Sequence, residues 1–154
     1  MLGKLTEDQI EHVLKTQLVG RIGCYAENEL YIVPVTYVFH KGHIYAHSKE
    51  GRKIQMMRKN PHVCFQVDVM ENMTNWRSVI IWGTYEELKS EKEQHAGMKI
   101  MDRLMPFLTS ETVRPSPGFS HPPEVVEKGV KAVAYRIKVT RATGRFEKTS
   151  SPSI

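Results

Sequence analysis

Six short runs of β-branched and aromatic residues most constrain how this chain can fold. Glycine, asparagine, proline or charged residues bound each run, a pattern typical of strands. Most of the connections between consecutive runs have the length of hairpins or short helices, which favours an antiparallel barrel over a parallel sheet. The six predicted strands cover residues 19–25, 30–39, 43–47, 62–69, 77–85 and 132–139.

Pro34 interrupts the second of these runs. Proline has no backbone N–H to donate to a neighbouring strand, so it is found on edge strands, at bulges or where no ladder donor is needed. The sequence leaves these three alternatives open for residues 30–39.

Three segments have the signals of short helices. A Ser or Thr followed three residues later by Gln or Glu has capping-box spacing, which begins a helix, and this pattern occurs twice. The middle helix is stopped by a proline, because the residue before proline disfavours helical dihedral angles. The predicted helices begin at Thr6 and end near Gln17, span residues 51–60 before Pro61, and begin at Ser90 and end near Leu104.

Length and composition favour a single domain over residues 1–154. A chain of 154 residues with 40% hydrophobic residues can form one core and is short for two. No apolar run reaches membrane-spanning length and the first residues lack an apolar signal core, so we expect a cytoplasmic protein with no membrane partner. The net charge of +5 favours anionic ligands, but the aromatic residues are not interleaved with the basic ones, so nucleic acid is not expected.

A basic turn after the third predicted strand is the main candidate for a ligand site. Residues 44–53 run from the end of that strand into a predicted helix start. Arginine can bind a phosphate through two hydrogen bonds, lysine adds a point charge, and the first N–H groups of a helix are unpaired donors. The same residues could also begin an ordinary solvated helix. The candidate phosphate-binding residues are Ser48, Gly51, Arg52 and Lys53.

The histidines and cysteines do not form a recognisable metal-binding pattern. Neither H-E-x-x-H nor a Cys/His pair at zinc spacing is present, so we predict no metal site. Cys24 and Cys64 both lie in apolar runs, where free buried thiols are expected. His47, at a strand end, could orient a substrate or transfer a proton, or could simply bond to nearby backbone.

The basic turn belongs to a longer order of motifs. It follows a hairpin and a strand ending in Ala-His-Ser at 46–48, and an Asn-Pro turn at 60–61 comes after it. Val-Pro-Val-Thr-Tyr at 33–37, Val-Asp at 67–68, Trp-Arg-Ser-Val-Ile at 76–80 and Trp-Gly at 82–83 complete the order. Over roughly residues 5–147 this order resembles the flavin-binding split-barrel superfamily typified by pyridoxamine 5′-phosphate oxidase, and within it the Nim-type (5-nitroimidazole resistance) branch. The resemblance implies a mainly β fold, a six-stranded antiparallel split β-barrel of the FMN-binding type.

The resemblance also assigns roles to individual positions. Ser48, Arg52 and Lys53 match the segment that holds the FMN phosphate, with Gly51 between them. His47 matches a histidine near the flavin and is the one candidate catalytic residue. The remaining cofactor positions are the strand beside the isoalloxazine ring (Pro34, Val35, Thr36 and Tyr37), a polar residue of the barrel wall (Gln66) and a segment often contributed across a dimer (Trp76, Arg77 and Ser78). Tyr37 and Trp76 could stack on the ring, or could belong to the core or an interface.

The function that the resemblance implies is that of an FMN-dependent oxidoreductase, a homodimer with sites at the subunit interface. FAD is an alternative cofactor, and heme another, since a different branch of split barrels binds it. The expected reaction is nitroimidazole-type nitroreduction, or a related flavin reductase activity on a small aromatic compound, with NAD(P)H binding transiently because no Gly-x-Gly-x-x-Gly turn is present.

Two further expectations limit this function. Pyridoxamine phosphate oxidation is not expected, because the residues that bind that substrate lie in an Arg-x-His-type extension, whereas this chain ends in Gly144, Arg145, Phe146 and a Ser/Thr tail. The alternative to an enzyme is a carrier or sensor that holds flavin or heme without turnover. The sequence assigns no role to the proline-rich segment 109–123.

Overall fold

Eight strands and three helices make up the described part of the chain, residues 1–104 and 132–149, in a computed structural model. The proline-rich segment 109–123 lies outside the described residues. The elements are β1 (Leu2–Lys4), α1 (Glu7–Thr16), β2 (Val19–Ala26), β3 (Glu29–Thr36), β4 (Val38–His40), β5 (His43–Lys49), α2 (Arg52–Lys59), β6 (His62–Asn72), β7 (Asn75–Glu87), α3 (Glu91–Leu104) and β8 (Ala132–Glu147).

All strand pairs are antiparallel. The two edge strands of the main sheet path, β3 and β4, follow each other directly in the sequence. The order is β3-β2-β6-β7-β8-β5-β4, with β1 paired to β8 beside it. Strand β3 pairs with β2 up to Thr36, and after Tyr37 the chain changes sides and pairs Val38 of β4 with Tyr45 of β5. The sheet therefore curls round until its two edges meet at Tyr37, but no ladder joins β3 to β5. The fold is a mainly β, split antiparallel barrel, as predicted.

Five of the predicted strands are confirmed as single strands. The prediction of one strand over residues 30–39 is wrong, because the chain there forms β3 and the three-residue β4. The three-residue strand β1 was not predicted. Pro34 lies on β3, an edge strand of the sheet path, so of the three alternatives for this proline the edge-strand position is the one observed. Strand β8 is twice as long as predicted, at 16 residues, and it pairs with β7, β5 and β1. The three predicted helices are also present.

The core fills the inside of the curled sheet, and α1 lies against it. Alternate residues of the central strands point inward and are almost fully buried, among them Ile22, Phe65, Val67, Ile81 and Ile137. Helix α1 begins at Thr6 with the predicted capping box, in which the Thr6 and Gln9 side chains each accept from the other's backbone N–H. A second, smaller cluster lies on the outer face, where α3 covers β4, β5 and β8. None of the described helices is long and apolar enough to cross a membrane.

Two buried tyrosines of the core differ in how their hydroxyls are satisfied. The Tyr37 hydroxyl donates to the carbonyl of Leu14 at 2.8 Å. The Tyr135 hydroxyl has no hydrogen-bond partner among the described residues, although Tyr135 is only 1% exposed. Burial raises the pKa of both phenols, so both are neutral at physiological pH. An orphaned buried hydroxyl costs free energy, whereas a paired one does not.

Replacing each tyrosine by phenylalanine should therefore change stability in opposite directions. Tyr135→Phe removes an unpaired polar atom and should raise the free energy of unfolding by about 1 kcal/mol. Tyr37→Phe leaves the Leu14 carbonyl without its donor and should lower it by about 1 kcal/mol. Urea denaturation of the two variants beside wild type measures both. A loss of stability in Tyr135→Phe would mean that its hydroxyl has a partner in solution.

Candidate anion-binding site beside the split

The beginning of helix α2 combines three features that disfavour it unless an anion is bound. Its N-cap is Gly51, which supplies no side-chain hydrogen bond to the first N–H groups. No acidic residue lies in the first turn, and the first two helical residues are Arg52 and Lys53. The N-terminus of a helix carries a partial positive charge, so cations there are unfavourable and anions favourable. The arrangement suits a negatively charged ligand, and it lies in the segment, residues 48–53, for which the sequence predicts a phosphate site.

Lys53 is a partly buried cation without a counter-charge. Burial lowers the pKa of its ammonium group, and the nearby Cys24 is the other group that influences it. Burial raises the pKa of the Cys24 thiol to about 11, with a further contribution from Cys64, so Cys24 is neutral at pH 7. No ion pair of Lys53 occurs within residues 1–104 and 132–149. An anion at the start of α2 would supply the missing charge.

Arg52 differs from Lys53 because it already has partners. Its Nη2 donates to the Oε1 atom of Glu29, and its Cζ lies 5.1 Å from the centroid of the Tyr31 ring. Both partners belong to the beginning of β3, on the other side of the split. The two charged side chains are about half exposed, 52% for Arg52 and 59% for Glu29, and exposed pairs of this kind are easily exchanged.

The end of β5 brings Ser48 and His47 to the same turn on opposite faces of the strand. The Ser48 hydroxyl donates to the carbonyl of Lys49 at 3.0 Å. The side chain of His47 is exposed and lies on the face that also carries His43 and Tyr45. No hydrogen bond of the His47 ring occurs in the part of the chain described, so the backbone-bonded alternative for His47 is not what the structure shows.

The β3 residues predicted to lie beside the flavin ring point to two different faces of the sheet. Pro34 and Thr36 are exposed on the outer face, whereas Val35 packs against the core. Tyr37 is fully buried, its ring lies edge-on to Phe65 at 5.0 Å, and its hydroxyl is bonded to Leu14. Of the two alternatives for Tyr37, stacking on the flavin ring or belonging to the core, the structure shows the core.

Gln66 and Ser78, predicted separately, are in contact on the outer face of the sheet. Gln66 Nε2 donates to Ser78 Oγ at 3.1 Å and to Asp68 Oδ2 at 3.3 Å. Arg21 Nη1 donates to Asp68 Oδ1 at 3.2 Å and to Gln66 Oε1 at 3.4 Å. Sequence reasoning missed Arg21 and the role of Asp68. Their signal was the alternation along β2 and β6, which places charged residues outward next to Gln66.

Trp76 lies at the opposite end of the barrel from α2. It pairs with Glu147 at the end of β8, and its Nε1 donates to a carboxylate oxygen of Glu147 at 3.0 Å. Ser48 pairs with Val133 near the beginning of β8, a strand of 16 residues whose path measures about 50 Å at 3.3 Å per residue. Trp76 also lines a cleft of about 500 Å³ together with Arg77, Phe146 and Lys148. One chain therefore does not bring Trp76 to the turn at residues 48–53.

The cysteines are both free, as expected, but only Cys24 is buried. Cys64 is exposed because it lies on the outward face of β6, so the prediction that both thiols are buried is wrong for Cys64. No group of three or more His, Cys, Asp or Glu residues that could hold a metal ion occurs in residues 1–104 and 132–149.

The architecture is that of a split antiparallel β-barrel with a basic, uncapped helix beside the split. The chain belongs to the pyridoxamine 5′-phosphate oxidase family, whose sequence pattern matches residues 6–146. The family predicted from the motif order is therefore confirmed.

The chain is also similar to individual proteins. An uncharacterized protein of Rhizobium meliloti (strain 1021) is 31% identical over 91 residues, which cover 59% of this chain and 60% of that protein. The crystal structure of a FAD-binding protein from Mesorhizobium loti is similar over 97% of this chain and 98% of its own, with 27% identity and a TM-score of 0.75. A proposed 5-nitroimidazole antibiotic resistance protein from Bacteroides thetaiotaomicron matches over 95% of this chain and 87% of its own, with 19% identity and a TM-score of 0.69, which shows a common fold.

Proposed function

We propose that this protein binds a flavin, with the phosphate at the beginning of α2, and acts as an oxidoreductase on a small aromatic compound. The observation that carries the proposal is the uncapped start of α2, where the helix dipole disfavours Arg52 and Lys53 and a bound anion would favour them. The similarity to a FAD-binding protein over nearly the whole chain supports a flavin as the source of that anion. FMN is the proposed form, because its terminal phosphate carries close to two negative charges.

The outer face of β3 is the candidate wall for the flavin ring. The outward side chains of Pro34 and Thr36 lie on the β3 side of the split, and His47 lies beyond the end of the β4–β5 ladder on the other. Thr36 has a hydroxyl that can hydrogen-bond a ring heteroatom, and Pro34 presents an apolar surface without a donor. We expect the ring to lie along this part of β3.

In this proposal, different residues bind the phosphate and act on the substrate. Arg52 and Lys53 bind the phosphate, and the N–H groups at the start of α2 add donors. The bound flavin supplies the electron transfer. His47, exposed at the edge of the same turn, holds or transfers a proton on the substrate side. The proposed substrate is a nitro-bearing aromatic compound, and the proposed electron donor is a transiently bound nicotinamide.

We further propose that the active form is a homodimer. Trp76 lies at the far end of β8 from the phosphate turn of its own chain, so a second copy must supply it if it is to contact the flavin. The outer face and edge of the sheet expose large apolar side chains, including Leu30, Ile32 and Ile80. Exposed apolar surface of this kind favours association. Sedimentation equilibrium should give twice the monomer mass, and a monomer would contradict this part of the proposal.

The test of flavin binding is the visible absorption spectrum of the purified protein, followed by mass analysis of the released chromophore. Flavin bands and an FMN mass support the proposal, and an FAD mass would keep the flavin but correct its form. A colourless protein that ignores added FMN and FAD, or a Soret band instead, would overturn it. Bleaching of the bound flavin by NAD(P)H would separate an enzyme from a passive carrier.

Replacing His47 by alanine should preserve FMN affinity and reduce turnover. Loss of a general acid–base group lowers turnover by on the order of 10²-fold or more, while the phosphate contacts stay intact. The matched control is His43→Ala, on the same face of the same strand but at its other end. Steady-state kinetics with a nitroaromatic substrate and FMN titration of the apoprotein measure the two effects. Loss of FMN binding in His47→Ala would instead make His47 a cofactor ligand.

A further inference from the structure

The guanidinium of Arg52 is held by a carboxylate. Glu29 accepts from its Nη2, and the guanidinium carbon lies 5.1 Å from the Tyr31 ring centroid, so Arg52 leans across the split toward β3. Neither Glu29 nor Tyr31 was a candidate from the sequence, because they lie 23 and 21 positions before Arg52 in the chain.

The position of Glu29 is fixed by the hairpin that precedes β3. The two turn residues, Glu27 and Asn28, have φ values of 51° and 63°, the left-handed conformation of a tight hairpin turn. The same turn is tied to the other end of α2, where Lys59 bonds Glu27 at 2.7 Å. The hairpin is thus attached to α2 at both ends of the helix, and Glu29 is the attachment at the phosphate-binding end.

We propose that Glu29 is an internal competitor for the flavin phosphate: its carboxylate occupies Arg52 in the free protein and is displaced when the phosphate binds. This inference rests on the proposed function. Arg52 and Lys53 bring two positive charges to the turn, and Glu29 cancels one of them. A phosphomonoester carries nearly two negative charges and three strong acceptor oxygens, so it replaces an exposed carboxylate that binds weakly.

The opposite role for Glu29 would be to hold Arg52 in place for the phosphate. In that case the carboxylate would remain bound beside the phosphate, where two like charges repel each other. The Tyr31 ring beneath the guanidinium already orients Arg52 without adding negative charge. Competition is therefore the role that the charges favour, and the two roles predict changes of opposite sign.

The experiment is a titration of the apoprotein with FMN and with riboflavin, which lacks the phosphate, followed by flavin fluorescence. Glu29→Gln should lower the FMN dissociation constant about two- to fivefold, the range expected on removing one exposed charge pair. The riboflavin constant should not change. The matched control is Glu27→Gln, which makes the same charge change on the same turn but at the Lys59 end of α2.

The outcomes separate this inference from the proposed function. Failure of the wild-type protein to bind either flavin refutes the proposed function and the inference together. If wild type binds FMN, weaker or unchanged FMN binding by Glu29→Gln overturns the competitor role alone. An equal gain in Glu27→Gln, or a gain for riboflavin, also overturns it, because the effect would then not act at the phosphate.

Discussion

Replacing Arg52 and Lys53 together by alanine is expected to abolish flavin binding at micromolar concentrations while leaving the protein folded. Each charge-assisted hydrogen bond to a phosphate contributes about 1.5–3 kcal/mol, so the double variant should lose about 3–6 kcal/mol of affinity. That loss corresponds to roughly 10²- to 10⁴-fold in the dissociation constant. Folding should be unaffected, since both cations lie in a helix turn whose dipole disfavours them.

The control for this variant removes two cations elsewhere. Lys15 and Lys59 are similarly exposed, with 57% and 56% of their side chains accessible, and each is paired with a surface glutamate. Lys15→Ala/Lys59→Ala makes the same change in net charge without touching the start of α2. FMN affinity retained in the Arg52/Lys53 variant, or lost equally in the control, would remove the phosphate from this turn. Circular dichroism confirms that both variants are folded.

The local part of the site was predictable and the long-range part was not. The basic turn, the helix after it and the glycine at its N-cap follow from residues that are adjacent in the sequence. Contacts between segments that are distant in the sequence depend on strand register instead. Arg52 meets Glu29, and Gln66 meets Arg21, only because the β2–β3 hairpin folds back over α2 and β6. No local pattern encodes such pairs.

The division of the second predicted strand shows the same limit. Residues 30–39 keep one alternating pattern of β-branched and aromatic residues, so the sequence predicts one strand. The structure divides it at Tyr37, whose N–H bonds the carbonyl of Leu18 and whose ring is buried against Phe65. Tyr37 is thus buried where the chain leaves the β2 ladder and joins the β5 ladder. This position also explains why Tyr37 looked like a ring-stacking residue, since an aromatic residue beside a cofactor strand has the same local sequence.

The packing of Phe65 against Tyr37, at the point where β3 ends and β4 begins, can be tested with a double-mutant cycle between Phe65 and Gly20. Phe65 is 1% exposed and packs edge-on against Tyr37. A Cβ atom at Gly20 would lie 2.4 Å from two atoms of the Phe65 ring, so this glycine leaves the room that the ring needs. Phe65→Ala should lower the free energy of unfolding by about 3–5 kcal/mol, because it leaves a cavity in the core. Gly20→Ala alone should lower it by about 1–3 kcal/mol through overpacking.

The combined variant should be more stable than the sum of the two single effects predicts. The methyl group at position 20 meets no ring in the Phe65→Ala background and fills part of the cavity, so a coupling of about 1–3 kcal/mol is expected. Urea denaturation of all four proteins measures it, with near-ultraviolet circular dichroism reporting the environment of the tyrosines. Additive effects would show that Gly20 does not accommodate the ring. Tyr37 packs on Phe65 where the chain passes from β3 to β4, so a folded Phe65→Ala protein should also bind flavin more weakly. The double variant Phe65→Ala/Gly20→Ala should recover part of the lost flavin affinity.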